Sequence, residues 1–259
     1  MDVRESAAAT VMARKVRRLN PMKAFILAAG NGTRLRPLTD TVPKCLLPIH
    51  GTPLLGIWLK SCMAAGIGEV LLNVHSLAEK IQDFATSQTS GVNIRVVRER
   101  QLLGSAGTLA ENRSFVAGER AFFILYGDVL TNVDLKAMLE FHRSGTALVT
   151  LGVHHAPDPS QCGIVTTDER GMVKNFVEKP QRPESNWAFS GVMIAGQELL
   201  DAVPAQRPAD IGFHLLPKLI GRMRAYRISD YLLDIGTLQT YAAAQASWPG
   251  LRKFQAKGN

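Results

Sequence analysis

Two glycines followed closely by cations form the first stretch of this chain that could do chemistry. Gly30-Asn31-Gly32-Thr33-Arg34 follows a short apolar run, Ala24 to Ala28, and Arg36 and Lys44 stand just behind it. Glycines let the backbone turn tightly and aim successive N–H groups into one concavity, and such a nest attracts anions. With Arg34, Arg36 and Lys44 nearby, the stretch predicts a polyphosphate site at the carboxyl end of a buried strand. Two other glycine motifs do not fit. A dinucleotide fold wants G-x-G-x-x-G and an acid at the end of the second strand, but Leu35 occupies the third glycine position and the second strand ends at Asn73-Val74-His75. The Gly-Lys-Ser/Thr of a P-loop occurs nowhere in the chain.

Further along, Leu103-Gly104-Ser105-Ala106-Gly107-Thr108-Leu109 places two glycines at a strand-to-helix turn, where they suit close approach by a flat ligand. Phe122 to Tyr126 is an apolar run ending in Gly127-Asp128. An acid at the carboxyl end of a central strand sits where open α/β sheets bind ligands, and Mg²⁺ is commonly held by one or two carboxylates plus phosphates. Asp128 is therefore the first candidate metal ligand. Asp134 reads better as a helix N-cap. Glu178-Lys179-Pro180 sets a cation beside a carboxylate before a chain-turning proline. His154-His155 with Cys162 lacks a suitably spaced fourth ligand for zinc.

The elements that must position these residues alternate. Thr52-Pro53 predicts an N-cap and first helical residue, with Leu54, Leu55, Trp58, Leu59 and Met63 at helical spacing and Gly66 as the stop. Glu69 to Val74 is a second strand. Ser76 to Glu79 matches a capping box, with Leu77, Ile81 and Phe84 as the apolar stripe behind it. Asn93 to Val97 is a third strand and Leu135 to Arg143 a helix. From Leu148 the pattern becomes antiparallel: a strand to His154, then Gly163 to Thr167 and Met172 to Val177 joined by a turn at Asp168 to Gly171. Ile211 to Arg222 reads as a helix, and Thr237 as the cap of a last helix through Ala246. Alternating strands and helices imply a parallel sheet covered on both faces.

The glycine stretch continues in a way that identifies a family. Gly30 to Thr39, then Pro43-Lys44 and Leu46-Leu47-Pro48-Ile49, resembles the signature of the sugar-1-phosphate nucleotidylyltransferases, closest in look to mannose-1-phosphate guanylyltransferases and related small bacterial enzymes. The resemblance implies an α/β fold, three-layered and doubly wound around a mostly parallel sheet, with a smaller antiparallel sugar-binding part. Residues 22–147 are expected to bind mainly nucleotide and 148–259 mainly sugar phosphate. It implies nucleotidyl transfer from a triphosphate to a sugar 1-phosphate, with Mg²⁺ on Asp128 and Asp234. Asp234 lies in Leu232-Leu233-Asp234-Ile235-Gly236-Thr237, which is similar to the family's Trp-x-Asp-Ile-Gly-Thr-Pro segment. The nucleotide is expected against Leu27, Ala28, Ala29, Gly30, Asn31, Gly32, Thr33, Arg34 and Lys44, with its base along Gly104, Ser105 and Gly107. The sugar phosphate is expected against Gly163, Glu178, Lys179, Ser190 and Gly191. The catalytic set implied is Arg34, Lys44, Asp128, Lys179 and Asp234. Phe189 and Met193 depart from the family's asparagine and tyrosine, which bears on the identity of the sugar. Two alternatives stay open: the same chemistry with UTP, CTP or dTTP and with heptose, glucose or N-acetylmuramate 1-phosphate, or a non-catalytic regulatory homologue that binds nucleotide sugar.

Composition fits this frame. A chain of 259 residues with 46% hydrophobic content can bury one large α/β domain. No apolar run approaches the roughly 18 residues of a membrane span. Three scattered cysteines, Cys45, Cys62 and Cys162, fit a reduced, cytoplasmic setting. Of the net charge of +8, residues 1–22 supply +3 (Arg4, Arg14, Lys15, Arg17 and Arg18 against Asp2 and Glu5). The rest has no dense basic run interleaved with aromatics, so no nucleic-acid partner is expected; a homo-oligomer is left open. Residues 1–21 read as a mobile tail, and no hexapeptide repeat of a β-helix is visible.

Overall fold

The computed structural model describes residues 21–252, so the segment read as a tail lies, apart from Pro21, outside the described residues. The expected alternation is present. β1 (Met22–Leu27) is followed by a single helical turn, α1 (Leu38–Thr41), and a minimal hairpin, β2 (Pro48–Ile49) with β3 (Thr52–Pro53). Then come α2 (Leu54–Ala64), β4 (Ile67–Val74), α3 (Ala78–Ser87), β5 (Asn93–Arg98), α4 (Ser105–Glu111), β6 (Phe122–Tyr126), β7 (Val129–Thr131) and α5 (Leu135–Arg143). The second half is strand-rich: β8 (Val149–His155), β9 (Gly163–Thr167), β10 (Val173–Glu178), β11 (Trp187–Ala195), β12 (Met223–Arg227), β13 (Leu232–Asp234), and finally α6 (Leu238–Ser247).

A nine-stranded sheet runs β10-β9-β11-β6-β1-β4-β5, with β8 and then β12 alongside β11. Strands β6, β1, β4 and β5 are mutually parallel, as are β8 and β12, while β11 is antiparallel to its neighbours. The inner parallel strands β1, β4 and β6 are largely apolar because both faces are covered, while the edge strand β5 carries Arg95 and Arg98. Side-chain alternation splits them between two cores. Ile26, Leu72 and Leu125 pack with Leu55, Trp58, Ile81 and Met138 beneath α2, α3 and α5. Phe25, Leu71 and Ile124 pack on the other face with Leu109, Leu199, Leu215 and Leu216. This is the three-layer, doubly wound α/β arrangement. Each fully buried side chain of this size stabilises the fold by about 1.5–3 kcal/mol. No helix among the described residues is long and apolar enough to cross a membrane.

Two predicted caps are present. Asp134 accepts the Ala137 N–H at 2.9 Å and Thr237 accepts the Thr240 N–H at 3.1 Å. Three other expectations are corrected. Thr52 does not cap α2, because it is extended in the β2–β3 hairpin and Pro53 takes the cap position without a side-chain bond. Ser76 and Glu79 form no capping box. Leu77, in the left-handed region, is the N-cap of α3, and the Ser76 hydroxyl donates instead to Asn31 Oδ1 at 2.8 Å. Residues 211–222 are not a regular helix: Ile211–Leu215 forms a wide turn and Leu216–Leu219 a tight one. Pro217 has no N–H to give and its ring crowds the preceding turn, so an α-helix cannot run through it.

Candidate active site

The glycine loop leaves β1 at Leu27, and Ala28 and Ala29 carry it out of the sheet. Its first amide is fixed from below: Ala28 N–H donates to Asn73 Oδ1 at 2.8 Å. Asn73 is buried at the end of β4, and its Nδ2 donates to Glu99 Oε1 (2.9 Å) and Thr108 Oγ1 (3.0 Å). The Thr108 hydroxyl also donates to Glu99 Oε1, and Leu103 N–H donates to Glu99 Oε2 at 3.1 Å. A buried polar group is tolerable only when hydrogen-bonded, so this network rigidly ties the start of the loop to the Gly104 turn. Asn73, Glu99 and Thr108 were not anticipated as site residues; a polar residue ending an otherwise apolar strand was the one available signal.

Gly32 needs its missing side chain, with φ +63° and a Cβ position 3.0 Å from Thr39 Cγ2. Gly30 is different: nothing lies within 4 Å of where its Cβ would stand. Among the described residues, the amides of Gly30, Asn31 and Gly32 have no hydrogen-bond partner in the chain. Open space beside free N–H groups is what an anion requires. Arg34 and Thr33 are exposed at the same loop. Arg36, read as further positive charge for the site, turns away to Asp40 at 3.2 Å.

Two carboxylates and a lysine lie beside the loop. Asp128 follows β6, and Ile235 N–H donates to its carbonyl at 2.9 Å. The antiparallel β7–β13 ribbon pairs Val129 with Asp234, so the two acids, 106 positions apart, become neighbours. Lys44 Nζ lies 2.7 Å from Asp128 Oδ2 and 3.9 Å from Asp234 Oδ1. Asp234 Oδ1 and Arg34 Nη2 stand 3.1 and 3.2 Å from the point where a Cβ on Gly236 would lie. Desolvation and then the facing Asp128 carboxylate hold the Asp234 carboxyl above the usual carboxylate range, while Lys44, Arg34 and Lys179 pull it back. The Asp234 side chain is 65% exposed, so solvent weakens the first cause and the facing acid is the one that persists. Two mutually repelling oxygen donors fit a hard divalent cation, whose remaining positions phosphate oxygens and water can fill. Among the described residues no cluster of three or more His, Cys, Asp or Glu forms a metal site.

The second wall is β10 and the turn at its end. Lys179 is exposed and left-handed, with φ +50°, and its N–H donates to the Cys162 carbonyl at 2.9 Å. A non-glycine residue in that region costs on the order of 1–2 kcal/mol. Glu178 is half-buried, and among the described residues its carboxylate accepts no hydrogen bond. Its Oε2 lies 2.5 Å from the Cβ position of Gly163. Burial and then Asp210 push the Glu178 carboxyl up, and Lys179 pulls it down. Folding therefore raises this pKa, so ionised Glu178 costs stability above its ordinary 4.5 and nothing below it. Glu178→Gln should melt higher than the parent at pH 7.5 and lose that gain as the pH falls toward 4.5. Equal gains at both pH values would show that ionisation is not the cause.

Five of the anticipated small residues serve the chain's own packing and hydrogen bonding. A Cβ on Gly104 would fall 2.3 Å from Ala209 O, and one on Gly107 2.9 Å from Arg207 Cδ. The room they leave is filled by residues 207–209, not left open to a flat ligand. Gly191 makes space for Tyr126, 3.0 Å from its Cβ position, and Tyr126 stacks edge-on against Phe189. Ser190 is 3% exposed and its Oγ accepts the Val192 N–H at 3.2 Å, so the structure does not bring it to the cleft. The Ser105 hydroxyl is likewise used internally, donating to Asp210 Oδ2 at 2.9 Å. Arg34, Lys44, Asp128 and Asp234 are brought together, with Lys179 close enough to act on Asp234.

Comparison with known proteins bears on the family and the fold. Residues 23–249 match the family described as Nucleotidyl transferase. The chain is 34% identical to a UTP–glucose-1-phosphate uridylyltransferase of Synechocystis, over 85% of this chain and 61% of that one. It is 33% identical to a mannose-1-phosphate guanylyltransferase of Mycobacterium tuberculosis, over 86% of this chain and 63% of that one. The chain thus spans about three fifths of the length of these relatives. In fold it is similar to a UDP-glucose pyrophosphorylase solved with UDP-glucose, with a TM-score of 0.76, 24% identity, and 88% and 98% of the two chains covered.

Proposed function

We propose, because the chain belongs to the nucleotidyl transferase family, that it moves a nucleotidyl group from a nucleoside triphosphate to a sugar 1-phosphate, giving a nucleotide sugar and pyrophosphate. The observation that carries this reading is Lys44 held between Asp128 and Asp234 (2.7 and 3.9 Å) beside the free amides of the glycine loop. In this reading the amides of Gly30 to Gly32 and the Arg34 guanidinium bind the departing β- and γ-phosphates. Lys44 neutralises the α-phosphate as charge builds there in the transition state. Lys179 places the attacking sugar phosphate, and Glu178 accepts hydrogen bonds from sugar hydroxyls. Asp128 and Asp234 would hold Mg²⁺, which when bound supplies charge neutralisation shared by the two phosphates. No side chain has to remove a proton, because a sugar phosphate is already ionised near neutral pH. Residues 22–147 take the nucleotide and 148–259 the sugar phosphate, with Asp234 returning to the first part through the β7–β13 ribbon.

Mannose 1-phosphate with GTP is the preferred pair. Relatives of nearly equal identity are named for UTP with glucose and for guanylyl transfer to mannose, so the base must be read by experiment. The test is pyrophosphate release with four triphosphates crossed against a panel of sugar 1-phosphates, in Mg²⁺ and then in EDTA. Release with one pair, abolished by EDTA, is expected. Absence of release with every pair, alongside calorimetric binding of a nucleotide sugar, would overturn the enzyme reading in favour of a regulatory binding protein.

A further inference from the structure

We infer that the turn from Asp210 to Gly212 is the positioning element of Glu178, setting where its carboxylate stands and joining it to the Gly104 loop. The inference rests on the proposed role of Glu178 in sugar binding. Glu178 Oε2 lies 2.2 Å from the point where a Cβ on Gly212 would stand. Gly212 is not in the left-handed region, so its backbone would accept any residue. What requires glycine there is the space taken by the carboxylate. Gly163, whose Cβ position lies 2.5 Å from the same oxygen, likewise leaves it room. The acid thus stands against two glycines and is still without a hydrogen bond among the described residues, which leaves its oxygens for a ligand's hydroxyls.

Asp210 holds the turn. Its Oδ1 accepts the N–H groups of Gly212 (2.8 Å) and Phe213 (3.1 Å). Its Oδ2 accepts the Ser105 hydroxyl, and Ser105 Oγ in turn accepts the Ile211 N–H at 2.8 Å. Both oxygens are occupied by the chain itself, so Asp210 acts as a positioning residue. One step back, Ala209 O accepts the amides of Ala106 and Gly107 (2.9 and 3.1 Å), and Ala209 N–H donates to Leu103 O at 2.8 Å. Hydrogen bonds thus tie the Gly104 loop to the turn beside which the acid assigned to the sugar stands. After burial, neighbouring Asp210 also raises the Glu178 carboxyl, as expected of a nearby like charge.

The test is a double-mutant cycle between Gly212→Ala and Glu178→Ala. It is read as KM for the sugar 1-phosphate and, in parallel, as calorimetric affinity for GDP-mannose and UDP-glucose. Gly212→Ala displaces only the far end of a flexible side chain, so folding should be little affected. The KM for sugar 1-phosphate and the Kd for nucleotide sugar should rise about ten-fold, the loss of one hydrogen bond to a charged group. The KM for triphosphate should stay within about two-fold. In the Glu178→Ala background the same substitution should add nothing. Equal effects in both backgrounds, or no effect of Gly212→Ala where Glu178→Ala has one, would overturn the inference. Should Gly212→Ala fail to fold, Asp210→Asn replaces it in the cycle, with the same non-additivity expected. Lack of turnover in the parent would count against the proposed function, yet the calorimetric arm would still decide the positioning role.

Discussion

Lys44→Met should reduce turnover by about 10²–10³, the usual cost of removing one group that stabilises transition-state charge. The substitution keeps most of the side chain's volume and removes its charge. In the parent, the Lys44 side chain is 14% exposed and its Nζ lies 2.7 Å from Asp128 Oδ2. Without it, Asp128 and Asp234 repel one another with less compensation. Thermal stability should therefore fall modestly at neutral pH and recover as the pH is lowered, because protonating Asp234 relieves the repulsion. Steady-state pyrophosphate release and melting curves on the same preparation separate the two effects. Near-normal turnover in a folded Lys44→Met protein would sink the assignment of this lysine.

Gly104→Ala should have the largest effect on folding. The added Cβ would fall 2.3 Å from Ala209 O, 2.7 Å from Ala209 C and 2.8 Å from Ala209 N, all backbone atoms that cannot swing aside. Gly104 also has φ +77° and ψ 158°, a conformation almost confined to glycine. Relief would require parting the loop from the turn, with the loss of three hydrogen bonds and of the Ser105–Asp210 contact. Strain and lost bonds together come to roughly 4 kcal/mol or more, a fall in Tm of about 10 °C for a chain of this size. A parent-like Tm would show that Ala209 does not pack against Gly104. Gly30→Ala is the control, since nothing stands within 4 Å of its Cβ position; it should fold normally and weaken triphosphate binding.

These two glycines show how much a sequence motif conceals. Gly30 and Gly104 look alike on paper, each in a small-residue loop between strand and helix. One leaves open space and the other is filled by Ala209. The sequence specifies that a Cβ is absent but not which partner comes into the gap, because that partner lies 105 positions away. Ser76 is similar: its spacing to Glu79 is that of a capping box, yet the hydroxyl is drawn to Asn31 on another strand's loop. A short local preference of about 1 kcal/mol yields easily to a tertiary bond that anchors the loop. Residues 211–222 depart from the helical expectation for a local reason, since their apolar spacing is helical but Pro217 interrupts the hydrogen-bond ladder.

By itself the sequence determined the alternating strands and helices of the first half, the apolar parallel strands of the core, and the cations and acids with the chemistry they offer, but not β11 (Trp187–Ala195), which joins the two halves of the sheet. Those features follow from side-chain type and short-range periodicity, which act wherever the chain goes. The tertiary structure alone decided that Asp234 reaches Asp128, that Lys44 lies between them, that Arg36 and Ser190 stand apart from the site, and that Asp210 and Gly212 frame Glu178. The meeting of Asp128 and Asp234 depends on register between strands far apart in the chain, β7 and β13. Register is set by packing of the whole sheet, not by any residue's neighbours in sequence.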